Sequence, residues 1–114
     1  MPSALDLPLS PAVFFTIFAL ASGEKHGYAI MQEARKLSDG SFRMGPATLY
    51  TTLQRLLDLD LIVEVAGAKD SDGRRRNYRL TRAGRALLDA ELERLDTLLR
   101  KASVLNWKPA GVRP

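Results

Sequence analysis

Two groups of residues in this sequence have types and spacing that could do chemistry. The first is Ala47, Thr48, Tyr50, Thr51, Gln54 and Arg55, and the second is Lys69, Arg74, Arg75 and Arg76. A glutamine amide can pair bidentately with adenine, a threonine can donate, accept or touch a thymine methyl, and an arginine can read guanine or hold phosphate. Clustered cations attract phosphates whatever the base sequence. A helix carrying the first group fits the major groove of a duplex, and a loop carrying the second meets its backbone. A merely solvated polar face and a merely solvated basic loop are the plainer alternatives. Catalysis has little to stand on: the chain has no cysteine, a single histidine (His26), no glycine-rich phosphate loop and no carboxylate pair in an evident cleft. The expectation is therefore no enzyme, no catalytic residue, no metal site and no cofactor.

The elements that must position these groups are legible in outline. Leu5, Leu7 and Leu9 lie in a leader expected to lay an apolar strip on the body. Ser10 and Pro11 open a first helix running to about Ser22-Gly23, apolar on several sides and expected to be buried nearly all round. A second helix is predicted from His26 to Leu37, ended by Ser38-Asp39-Gly40, with a short extended segment at Phe42-Arg43-Met44. The third starts at Pro46. Its Leu49, Leu53 and Leu56 form a buried stripe, Leu57 sits at the margin, and Ala47, Thr51, Gln54 and Asp58 project oppositely, flanked by Thr48 and Arg55 on one side and Tyr50 on the other.

A strand is predicted over Leu61 to Val65, a loop from Ala66 to Arg76, and a return strand over Asn77 to Leu80 with Tyr78 and Leu80 facing the core. Thr81 caps a last helix reaching about Val104. Leu88, Leu92, Leu95, Leu99 and Ala102 are spaced 4, 3, 4, 3 along it, the rhythm of lengthwise helix packing. Asp89, Glu91, Glu93 and Asp96, alternating with Arg94, Arg100 and Lys101, read as a solvated face with weak pairs.

The fold class expected is mainly α with a small β-hairpin (α+β), a winged helix-turn-helix with a C-terminal dimerisation helix. It divides into a DNA-binding domain with its leader (1–81), the dimerisation helix (82–106) and a tail (107–114). Homodimerisation is expected through Phe15, Leu88, Leu92, Leu95 and Leu99, because two apolar surfaces exceed what one small core covers.

At 114 residues, with 46% hydrophobic and 26% charged residues, the composition is that of one ordinary globular domain. The formal charge of +4 is concentrated: residues 67–86 carry seven basic and two acidic side chains, +5, leaving −1 elsewhere. The longest apolar run, Ala12 to Ala21 with Thr16 inside it, is too short for a bilayer and follows no basic leader, so no membrane association and a cytoplasmic location are expected. His26 reads as a cap or packing group. Tyr28 and Tyr50 are either core rings with wet hydroxyls or phosphate donors, and Tyr78 is a core ring.

The blocks His26-Gly27-Tyr28-Ala29-Ile30, Gly45-Pro46-Ala47-Thr48-Leu49-Tyr50 with Leu53 and Arg55-Leu56, and Gly73-Arg74-Arg75-Arg76-Asn77-Tyr78-Arg79-Leu80-Thr81 with Gly84 resemble the signature of the PadR transcriptional regulators. The resemblance covers about Leu9 to Leu95 and is closest to the compact branch with one helix after the wing. It implies a sequence-specific, homodimeric repressor on double-stranded DNA with a near-palindromic operator, in many members released by a small-molecule effector. Two departures stand out. Asp60 replaces the usual glycine after the third helix, and Leu95 stands where some drug-sensing relatives carry a tryptophan, so a stacking pocket for planar drugs is not expected. A winged-helix module that binds protein and not DNA is the competing reading.

Overall fold

The first helix begins where Ser10 and Pro11 place it. In the computed structural model, which describes residues 5–66, 76–107 and 110, the Ser10 hydroxyl accepts the Val13 amide at 3.3 Å and α1 spans Pro11–Ala19. One 3₁₀ turn, Leu20–Ser22, extends it to Gly23. Val13, Thr16, Ile17, Ala19 and Leu20 are buried, whereas Phe14, Phe15 and Phe18 are half-buried, so burial is less complete than the composition suggested. The Phe15 ring stacks on Phe42 with centroids 5.3 Å apart.

Helix α2 spans Gly27–Leu37, and His26 is its cap: Nδ1 accepts the Ala29 amide at 3.3 Å. The short strand lies ahead of this helix, at Lys25–His26 (β1), and not at residues 42–44 as expected. A strand needs a neighbour. The free edge of the return strand lies beside Lys25–His26, whereas Phe42 is tied locally, its amide donating to Ser38 Oγ at 3.0 Å.

Helix α3 spans Pro46–Asp58 with Leu49, Leu53 and Leu56 at 0–1% exposure, the predicted stripe. It ends in a Schellman arrangement. The Leu61 amide donates to Leu56 O at 2.9 Å, the Asp60 amide to Leu57 O at 3.0 Å, and Asp60 is left-handed at φ 58°. An aspartate there costs up to about 1 kcal/mol relative to glycine.

Strands β2 (Ile62–Ala66) and β3 (Arg76–Leu80) pair antiparallel with Ile62 opposite Leu80 and Ala66 opposite Arg76. Each expected strand is displaced or extended by one residue, and Arg76 belongs to β3 and not to the loop. The sheet order is β1-β3-β2, so β3 is central. Tyr78 and Leu80 face the core as predicted.

Helix α4 spans Arg82–Val104, capped by Thr81 Oγ1, which accepts the Gly84 amide at 3.0 Å. The leucine seam divides along its length. Leu88 belongs to the core at 6% exposure, so its side chain is committed to its own protomer and is withdrawn from the expected interface set. Leu92 is half-buried, while Leu95, Leu98 and Leu99 are 40%, 49% and 49% exposed. No residue of α4 beyond Glu91 is buried. The helix runs off the body, in keeping with extents of 56 × 33 × 22 Å. No helix among the described residues is long and apolar enough to cross a membrane.

Glu91 corrects the reading of that helix's charges. It is 3% exposed, accepts the Leu9 amide at 2.9 Å through Oε2, and accepts Arg94 Nε at 2.5 Å through Oε1. It straps the leader to α4. Leu5 and Leu9 are buried there, but Leu7 turns outward, so the leader's strip is not continuous. The Arg94 hydrogen bond holds the Glu91 carboxyl below the usual carboxylate range. Burial opposes this, and the Leu9 amide and the Arg94 charge reinforce it. A depressed folded pKa stabilises the protein above the unfolded value and the contribution disappears as pH falls through the folded value. Glu91→Gln should therefore cost about 1–3 kcal/mol at neutral pH. The difference from wild type should vanish well below the ordinary carboxylate range, as urea midpoints measured across pH would show.

Candidate nucleic-acid interface

The buried stripe of α3 turns the opposite face outward, and Ala47, Thr48, Tyr50, Thr51, Gln54 and Arg55 are all exposed. Ala47, Thr48, Thr51 and Thr52 line an open concavity of about 250 Å³. No side chain caps the start of the helix at Gly45. The amides of Ala47 and Thr48 are thus available to an anion, where the helix dipole favours one. Arg55 takes part in no ion pair among the described residues. Gln54 Nε2 donates to Asp58 Oδ1 at 2.9 Å one turn on.

Tyr28 and Tyr50 are 62% and 56% exposed, so neither is a core ring. Tyr50 lies over the first residue of α2. A Cβ on Gly27 would stand 3.1 Å from the Tyr50 hydroxyl and 3.2 Å from Leu49 Cδ2, so the absent side chain is what lets the two helices meet here. Burial pushes the Tyr78 phenol up, with Glu64 and Tyr50 adding to the rise and Arg76 opposing it.

Of the expected wing cations, Lys69, Arg74 and Arg75 lie outside the described residues. Arg76 is exposed at the base of the wing and pairs with Glu64 across the strands at 2.8 Å. Arg79, on the same strand, is exposed and without an ion pair among the described residues. Arg79 was absent from the expected set, although its alternation with Tyr78 already placed it on the outer face. The Glu64 contact also went unforeseen, because it depends on a register that the loop leaves open. The described residues bring together no group of three or more histidines or carboxylates that could hold a metal ion.

The chain matches the transcriptional regulator PadR-like family over residues 17–90. It is similar to transcriptional regulator Rv3488 of Mycobacterium tuberculosis, 43% identical over 82 residues that cover 71% of this chain and 72% of that one. It is 37% identical over 65 residues to uncharacterized protein X of Lysinibacillus sphaericus, covering 57% of this chain and 60% of the relative. Its fold is similar to that of Bacillus subtilis PadR, solved in complex with operator DNA, with a TM-score of 0.66 at 21% identity over 75% of this chain and 47% of that one. The chain thus spans less than two thirds of the Lysinibacillus and Bacillus proteins. The family match takes in α2, α3, both wing strands and the first turns of α4, and with it this protein belongs to the PadR-like family of transcriptional regulators.

Proposed function

We propose that the protein is a homodimeric repressor that binds a near-palindromic operator, each protomer reading one half-site with α3 and gripping the backbone with its wing. PadR-like proteins are transcriptional regulators and not enzymes. The observation that carries the reading is the exposure of all six polar or small residues on one face of α3, backed by a fully buried leucine stripe. The operator complex of Bacillus subtilis PadR, a protein of the same fold, supports double-stranded DNA as the partner. The exposed apolar half of α4 (Leu95, Leu98, Leu99, and beyond them Leu105 and Trp107) supports a second copy as the other. A small-molecule effector lodged between paired α4 helices would change their angle and move the two α3 helices off the spacing of about one duplex turn.

Selection from random duplexes followed by anisotropy titration tests the reading. If a dimer neutralises on the order of 6 phosphates, affinity should fall by roughly three decades between about 50 and 200 mM salt. Arg74→Ala with Arg75→Ala should weaken binding about equally for every sequence, whereas Gln54→Ala should alter sequence preference. Absent or salt-insensitive DNA binding would turn the assignment toward a protein-binding winged helix.

A further inference from the structure

Asp58 is the one acidic residue of α3, and its position is unfavourable twice over. It is the last residue of the helix, where the aligned peptide dipoles already leave partial negative charge. It also lies on the outward face, where a phosphate backbone would repel it. Among the described residues its partner is the Gln54 amide, with Nε2 2.9 Å from Oδ1. An ionised carboxylate has no proton to give, so the contact decides which end of the amide faces it. The nitrogen of Gln54 turns to Asp58 and Oε1 turns away.

That leaves Gln54 with one free amide proton and its carbonyl oxygen, the pair that adenine's N7 acceptor and N6 donor require. A lone exposed glutamine loses rotamer freedom when it binds, and here part of that ordering is already complete. Donation to the carboxylate also polarises the amide and makes Oε1 the stronger acceptor.

We propose that Asp58 is a specificity-determining residue. It holds Gln54 in the orientation that reads adenine, while its charge lowers affinity for every duplex alike. The proposal rests on the DNA-binding reading of α3.

The test compares wild type, Asp58→Ala and Asp58→Asn on a selected duplex and on one with the adenine opposite Gln54 replaced. Asp58→Ala should bind the replaced duplex a few-fold more tightly, because a repelling charge is gone. Its preference for the selected duplex should fall about tenfold. Asp58→Asn can still accept from Gln54 but carries no charge, so it should share the general gain and keep most of the preference. In a Gln54→Ala background, Asp58→Ala should change preference no further.

A preference unchanged in Asp58→Ala, or a uniform loss of affinity, overturns the role of Asp58 alone. Wild-type protein with no preference for any duplex overturns the DNA reading with it. Both residues are exposed, so thermal melting no lower than that of wild type confirms that the variants report recognition and not folding.

Discussion

Gly84→Ala is expected to destabilise the protein by roughly 3 kcal/mol or more, because an overpacked contact against backbone has no side chain that can yield. Helix propensity alone gives the opposite sign: alanine inside a helix is favoured over glycine by roughly 0.5–1 kcal/mol. The close approach decides. A Cβ at Gly84, in the first turn of α4, would be driven into the Leu61 carbonyl oxygen. That oxygen also accepts the Thr81 amide at 3.1 Å, while Thr81 Oγ1 donates to Asp60 O at 2.7 Å. The turn between α3 and β2 is therefore pinned to the start of α4 at several points, and moving one strand of this contact breaks the others. Urea denaturation followed by far-ultraviolet dichroism should show the midpoint drop. A variant as stable as wild type would mean that α4 and the turn are not in register as described.

Leu95→Glu with Leu99→Glu should leave a folded monomer that binds a full operator at least about a hundredfold more weakly, since the second half-site is no longer held at high effective concentration. Both leucines are substantially exposed in the protomer, at 40% and 49%, so the substitutions leave its core untouched. Placing four carboxylates in a shared apolar seam opposes pairing through both desolvation and like-charge repulsion. Sedimentation velocity at micromolar concentration reads the oligomeric state and anisotropy reads the affinity. Retained dimerisation would remove the α4 seam from the proposed assembly.

Residues whose local chemistry is self-sufficient are legible in the sequence. Ser10, Pro11, Pro46 and Thr81 each announce a helix start through a cap or a missing amide proton. Leu49, Leu53 and Leu56 set the rotation of α3, and hence its exposed face, by periodicity alone. The left-handed turn at Asp60 was readable from the resemblance. What was not legible depends on partners distant in sequence. Glu91 sits among alternating charges and looks solvated. Only the approach of Leu9, 82 residues away, makes it a buried strap. Lys25–His26 has no strand signature of its own and becomes one because β3 leaves an edge beside it. Leu88 and Leu99 share one heptad pattern, yet the body ends between them, and periodicity carries no information about where a helix leaves its core.

With β3 in the middle of the sheet, the base of the hairpin is held from both sides. His26 is at once the strand residue opposite Asn77 and the cap of α2, so tilting the hairpin's base pulls on the first turn of the helix that supports α3. The base of the hairpin and the helix that braces α3 are thereby coupled within the protomer. In the proposed dimer, accommodation of operators with unequal half-site separation would then fall to the joint between subunits, which would make the projecting half of α4 the adjustable part of the machine.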